Sequence, residues 1–325
     1  MRLPWWPRRR RRRLTLVREV HYAMGTLLDV QLYHQRPELG LRLLRHACQE
    51  ARRLEALFSR HMPDSELSRL NRQAGRGPMP ISPELFGLLR AAQQWAQWSQ
   101  GAFDPTAGAL SNLWRMAVSR GQLPAHHGLQ SALRAAGWRK LRLFQPNLAQ
   151  LTTAGVELDL GGIAKGYAVD RMGHLLRRHG IQYALINFGE SSLLAIGSMP
   201  DGRSWPVAVR GLGGGVNPGA LGLRDHAVST SSSFGRAFFL DGRCLSHVLD
   251  PRHGQPLAQP LAVTVLAPTA TAAEALSTAL LVWTAGGEVI PPLPPGARAY
   301  EVRRAGELVP RWRTSADATL CLARL

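Results

Sequence analysis

The sequence predicts an α+β fold, and three observations predict it. Segments with helical spacing and segments with strand spacing are mixed without a regular βαβ rhythm. The second half is crowded with short strand-like runs bounded by turn residues. With 325 residues and 45% hydrophobic content, the chain can build one large core or two modest ones, and its composition is neither disordered nor membrane-embedded.

Residues 24–33 alternate loosely and predict a strand. Residues 39–60 place Leu44, Ala47, Ala51, Leu54 and Phe58 on one helical face. Ser82-Pro83 opens a second helix, with Leu85, Leu88, Ala92 and Trp95 inward and Gly101 ending it. A short helix ends near Gly137. Strands are expected at about 140–145 and 149–159, then a helix from about 162 to 179 that stops at Gly180. Further strands follow at 183–188, 193–196, 205–210, 227–229, 237–240 and 261–266, then a helix at 272–285. A hairpin closes the chain, 299–304 with 308–312 about Ala305-Gly306, and Pro291, Pro292, Pro294 and Pro295 mark a stiff surface loop. No internal repeat is present.

The net charge of +18 is uneven: Arg2 and the six arginines at 8–13 supply seven positive charges before residue 14. Residues 1–19 read as a disordered basic tail. A sharper reading of Trp5, Trp6 and the arginines is a clamp onto anionic lipid or nucleic acid. A secretory signal needs an apolar stretch after the basic run, but Leu14 to Val17 meet Arg18, Glu19 and His21 at once. No early cysteine offers a lipid site, and no run of eighteen apolar residues predicts a spanning helix. Cys48, Cys244 and Cys321 are odd in number and far apart, which suits a reduced, cytoplasmic protein better than a disulfide framework or zinc site.

Four segments carry candidate chemistry. Leu158-Asp159-Leu160-Gly161-Gly162-Ile163-Ala164-Lys165-Gly166-Tyr167 ends a strand in paired glycines and starts a helix. Glycines let a ligand approach the backbone and free helix-start amides favour phosphate, with Lys165 as a cation. The plainer reading is a tight turn with a solvated lysine. Gly101-Ala102-Phe103-Asp104-Pro105-Thr106 fixes a carboxylate in extended backbone before proline, for a pocket or for the turn itself. In Ser246-His247-Val248-Leu249-Asp250-Pro251, His247 is either a general base oriented by a carboxylate or a histidine packed in a turn. In Thr271-Ala272-Ala273-Glu274-Ala275-Leu276-Ser277-Thr278, Glu274 and Thr278 lie one helical turn apart and offer oxygens that suit Mg²⁺, while Thr271 with Glu274 also spells a capping box.

These segments, together with Ala23-Met24-Gly25-Thr26 and the run from Ser59 to Asn71 (SRHMPDSELSRLN), resemble the ApbE-type family, the FAD:protein FMN transferases, from about residue 20 to about 285. The resemblance implies a two-lobed α+β domain over 20–325 with FAD in the cleft and Mg²⁺ by the pyrophosphate. It implies that FAD is broken there, that AMP leaves, and that FMN passes to a threonine or serine of an acceptor protein. Flavin contacts would fall on Met24, His61, Ala102, Phe103, Asp104, Asp159, Lys165 and Val248. Metal ligands would fall on the Gly162 carbonyl, Glu274 and Thr278. His247 would take the acceptor proton. The chain departs from the family pattern at His61, usually aromatic, and at Glu274, usually Asp. It departs again at Gly189-Glu190-Ser191, usually Gly-Gly-Asp, at Thr230-Ser231-Ser232, usually Thr-Ser-Gly, and at His253, usually threonine. Two other readings follow from these departures: a non-catalytic FAD-binding relative, and an FAD pyrophosphatase giving free FMN and AMP. Specific nucleic-acid binding rests on charge alone, without a recognisable module. The expected place is the cytoplasm, membrane-peripheral if the tail is a clamp.

Overall fold

Leu44, Ala47, Ala51, Leu54 and Phe58 are all buried along one face of the first long helix, as their spacing requires. The computed structural model describes residues 13–209, 219–234, 237–302, 308–312 and 322–323. In chain order the elements begin with β1 (Thr15–Ala23), β2 (Thr26–His34), α1 (Pro37–Phe58), α2 (Glu66–Arg72), β3 (Met79–Pro80), α3 (Pro83–Trp98), α4 (Gly108–Arg120) and α5 (His126–Ala135). Next come β4 (Leu141–Phe144), β5 (Leu148–Leu151), α6 (Ala164–Arg178), β6 (Ala184–Phe188), β7 (Ser192–Ile196), β8 (Trp205–Val209) and β9 (Gly219–Leu223). The last are β10 (Ala227–Ser232), β11 (Ala237–Leu240), β12 (Arg243–Ser246), β13 (Leu249–Asp250), β14 (Gln255–Pro256), β15 (Ala262–Ala267), α7 (Ala270–Gly286), β16 (Arg298–Val302), β17 (Leu308–Trp312) and β18 (Leu322–Ala323).

The expected α+β class is the observed one. Eight antiparallel strands form the main sheet in the order β1-β2-β6-β7-β10-β15-β16-β17. One face carries α1, α6 and α7. On the other, Trp205, Val207, Leu221 and Leu223 of the sheet β18-β9-β8 share a core with Leu185, Leu193, Ala195 and Val228. A third sheet, β3-β5-β4, packs with α2 and α3. The α7 sequence is apolar nearly all round, which suits a helix enclosed by the main sheet, α3 and α6. Among the described residues no helix is long and apolar enough to cross a membrane. Cys48 is buried and Cys244 half-buried, both free thiols, and Cys321 lies outside the described residues.

Three expectations change. The tail boundary moves back, because Thr15 to Glu19 belong to β1: Val17 is buried, and Glu19 pairs with Arg45 and His21. Residues 1–12 lie outside the described residues. The strand expected over 149–159 stops at Leu151. Beyond it the backbone groups are satisfied elsewhere: Asn71 brackets Leu158 with bonds of 2.8 and 3.1 Å, the Gly108 amide donates to Glu157, and the Asp159 amide donates to Pro105. Finally, α2, α4, β9 and β12 were not among the expected elements. Of the expected closing hairpin, β16 pairs with β17, and the turn at Ala305-Gly306 lies outside the described residues.

Candidate functional site

One cavity of about 1670 Å³ is lined by elements from both halves of the chain. The β1–β2 turn contributes Met24, and the segment after α1 contributes Arg60 and His61. The loop before α4 contributes Ala102, Phe103 and Asp104, and the approach to α6 contributes Asp159, Gly162 and Lys165. His247 and Val248 come from the bend after β12, and Glu274 and Thr278 from α7. All twelve residues singled out from the sequence therefore line this one space. His253 is not among its lining residues.

Local structure explains several positions. Met24 and Gly25 both have left-handed backbone, with φ of 47° and 74°, which gives the tight turn between twisted strands. Gly162 stands at a close approach. A Cβ there would stand 3.2 Å from the Phe103 ring and 3.5 Å from Thr278 Oγ1. Asp104 is anchored at the base of its loop. Its carboxylate accepts from the Thr106 amide at 2.8 Å, the Thr106 hydroxyl at 2.6 Å and the Trp138 amide at 2.9 Å. Burial pushes its carboxyl above the ordinary range against the pull of these donors. The turn-holding role of the Asp-Pro segment is thus fully expressed.

Arg60 is a site residue that the sequence did not reveal. Only 8% of its side chain is exposed, and it pairs with Asp159 and, at 3.0 Å, with Glu157. It also donates to Asn112 Oδ1 at 2.5 Å and to the Gly108 carbonyl at 3.4 Å. Burial alone would push the Asp159 carboxyl up. Arg60, the Gly161 amide and the Ser111 hydroxyl outweigh it and hold the group below its ordinary range. One arginine in a chain with so many gives no local signal; only the fold brings it to Asp159.

Lys165 is not a solvated lysine. It is 21% exposed, its ammonium pairs with Glu274, and it reaches the Gly161 carbonyl at 3.3 Å. Glu274 is 4% exposed, and its second oxygen accepts from the Gly166 amide at 2.5 Å. The capping box expected from Thr271 and Glu274 does not form. The helix starts earlier, at Ala270, with Thr269 as its cap, accepting from the Ala272 amide at 3.2 Å. Asp170 of α6 also accepts from the Ala270 and Thr271 amides, each at 2.8 Å. Glu274 is therefore free of the helix end and points to α6.

Thr278 Oγ1 donates to the Glu274 carbonyl at 3.1 Å and lies 3.3 Å from Ser231 Oγ. Among the described residues no group of three or more His, Cys, Asp or Glu stands close enough to hold a metal ion. A site of the kind the resemblance implies draws instead on a carbonyl, a hydroxyl and one carboxylate. Those oxygen donors fit Mg²⁺ in kind, and the Glu274 carboxylate already holds a cation, the Lys165 ammonium. His247 is an exposed residue that lines the cavity. The Asp250 carboxylate accepts from the Arg252 amide and Nε, each at 2.9 Å, and from Nη2 at 2.7 Å, and Arg252 continues to Glu288.

A family model described as the ApbE family matches residues 24–290. The chain is 34% identical over 282 residues to the FAD:protein FMN transferase of Treponema pallidum, covering 80% of this chain and 76% of the relative. It is 34% identical to the protein of the same name from Chlamydia trachomatis, over 73% of this chain and 74% of the relative. Among solved structures it is similar to the ApbE protein of Thermotoga maritima, with a TM-score of 0.80, 27% identity, and coverage of 91% of this chain and 97% of that one. The flavinyl transferase ApbE of Pseudomonas stutzeri, in its apo form, gives a TM-score of 0.76 at 27% identity, covering 91% and 94%.

Proposed function

The chain belongs to the ApbE family, and on that premise we propose that it moves FMN from FAD onto a threonine or serine hydroxyl of an acceptor protein, with Mg²⁺, releasing AMP. The observation that carries this reading is that all twelve positions matched to the family pattern line one cavity. At about 1670 Å³ the cavity has room for a dinucleotide.

In the reaction the acceptor oxygen bonds to the phosphorus of the FMN half. The bond from that phosphorus to the bridging pyrophosphate oxygen breaks, and AMP leaves. Such transfers depend mainly on positioned groups and neutralised charge. Mg²⁺, when held by the Gly162 carbonyl, Glu274 and Thr278, supplies neutralisation of the pyrophosphate. Lys165 adds a cation at the start of α6, where the Gly166 amide is already held by Glu274. Met24, His61, Phe103 and Val248 supply the flavin's walls, with Ala102 and Asp104 shaping the loop beside it. Asp159, kept ionised by Arg60, offers a fixed acceptor to flavin N–H or hydroxyl groups. His247, exposed at the mouth, takes the acceptor's proton. The place we assign is the cytoplasm, with the early arginines adding salt-sensitive attraction to anionic membrane surfaces.

Incubation with FAD, Mg²⁺ and a candidate acceptor tests the transfer. AMP should appear together with an acceptor heavier by one FMN less one water. AMP with unmodified acceptor and free FMN would make the chain a pyrophosphatase. FAD binding without AMP would make it a non-catalytic relative, the reading that Glu274 and Ser232 favour.

A further inference from the structure

We infer that Lys165 is a built-in competitor of the divalent ion: in the flavin-free protein its ammonium occupies the Glu274 carboxylate and must leave before Mg²⁺ can enter. The inference rests on the proposed reading of this cavity as an FAD and Mg²⁺ site.

Only two of the 40 basic residues are lysines, Lys140 and Lys165; the rest are arginine. Lys140 is spent on the backbone, donating to the carbonyls of Arg134 and Ala136. Lys165 alone among them meets a buried carboxylate. An arginine fork would hold a carboxylate bidentately and resist exchange. An ammonium on a flexible stem is a point charge that can swing away.

The geometry defines what is exchanged. Glu274 Oε2 is fixed by the Gly166 amide at 2.5 Å, so the carboxylate cannot follow a departing lysine. Its other oxygen holds the ammonium, which also reaches the Gly161 carbonyl at 3.3 Å. The ammonium thus rests on the Gly161 carbonyl and on the carboxylate of Glu274, which lies one helical turn before Thr278, and these are the donor types that the metal needs. The nearby Asp159 carboxylate does not supply a second anion, because Arg60 and the Gly161 amide already hold it. One free monoanion cannot balance an ammonium and a divalent ion together. Burying a carboxylate without a cation is costly, which explains why lysine stays until something replaces it. The FAD pyrophosphate supplies the anion for the released ammonium, so flavin and metal entry are linked through Lys165.

The test measures Mg²⁺ binding by calorimetry at pH 8 for the flavin-free wild type, Lys165→Met and Glu274→Gln, with melting temperatures as a fold control. Lys165→Met should bind Mg²⁺ roughly tenfold more tightly than wild type and gain more thermal protection from it, while Glu274→Gln should not bind. An unchanged or weaker affinity in Lys165→Met, with Glu274→Gln still inactive in binding, overturns the competition and leaves the metal site standing. If wild type and Glu274→Gln behave alike with FAD present, the metal site itself is wrong and the competition falls with it. Should Lys165→Met not fold, amine labelling of the wild type reads the same exchange, with Lys140 as internal reference. Mg²⁺ should raise labelling of Lys165 several-fold relative to Lys140. Unchanged or reduced labelling under Mg²⁺ would overturn the proposal.

Discussion

Arg60 shows how one residue sets the charge of the cavity wall. In the folded chain the Asp159 carboxyl lies below its ordinary value, so its ionisation adds stability above about pH 4 that is lost as pH falls through the folded value. Arg60→Met leaves burial unopposed by its main counter-charge and moves the Asp159 carboxyl up. Melting curves from about pH 3 to 7 should then lose the stability that wild type gains between about pH 3 and 5. At neutral pH the variant should lose roughly 1–3 kcal/mol, since the Asp159 carboxylate left without its partner is 25% exposed and water screens part of the loss. Arg60→Lys should fall between the two, since an ammonium restores charge but not the fork that also reaches Asn112. An identical pH profile in wild type and Arg60→Met would separate Arg60 from Asp159. Glu274 makes a second prediction at this scale. Glu274→Gln should lose Mg²⁺-dependent AMP release and, because Lys165 loses its buried carboxylate partner, should also lower the melting temperature without metal. Glu274→Asp keeps the carboxylate, one methylene shorter, and should keep or raise that activity. Release measured against Mg²⁺ concentration separates these outcomes. Wild-type metal dependence in Glu274→Gln would remove the carboxylate from the metal site.

The crossing of α6 and α7 places the reactive side chains. Gly166 lies where the two backbones meet, and a Cβ there would run into the Ala270 carbonyl. Asp170 receives the first amides of α7, so the two helices are tied at both sides of that contact. Gly166→Ala should cost about 1–3 kcal/mol by overpacking and should also shift Glu274, whose oxygen accepts from the same residue's amide. Denaturant unfolding reads the first effect, and a weaker Mg²⁺ affinity reads the second. Much of this element level was legible in the sequence. The α1 and α3 faces, the α6 stop at Gly180 and most later strands follow from spacing and turn residues. The rest was hidden for physical reasons. On β1 the inward positions include Glu19 and His21, so a real strand lacks an apolar alternation. On α4, Trp114 donates to the Gly254 carbonyl at 2.8 Å, a contact across the chain that local pattern cannot announce. The Thr271-Glu274 pair spelled a cap, but a longer helix and Asp170 from another element took that role.

At the scale of the whole molecule, residues far apart in sequence line one space, from Met24 in the first hairpin to Thr278 in the last long helix. The residues of that space were legible because short segments resembled a family in one order. Their connections were not: Arg60 with Asp159 and Lys165 with Glu274 are set by tertiary packing. A cavity shared in this way should recognise an intact dinucleotide, with the flavin against the Phe103 and Asp104 loop and the pyrophosphate toward Gly161, Gly162 and Lys165. Fluorescence titration of the purified chain with FAD, FMN and riboflavin tests this most directly. FAD should bind more tightly than FMN, and FMN more tightly than riboflavin. Equal affinities for all three would contradict the account, because the cavity would then be reading the flavin ring alone.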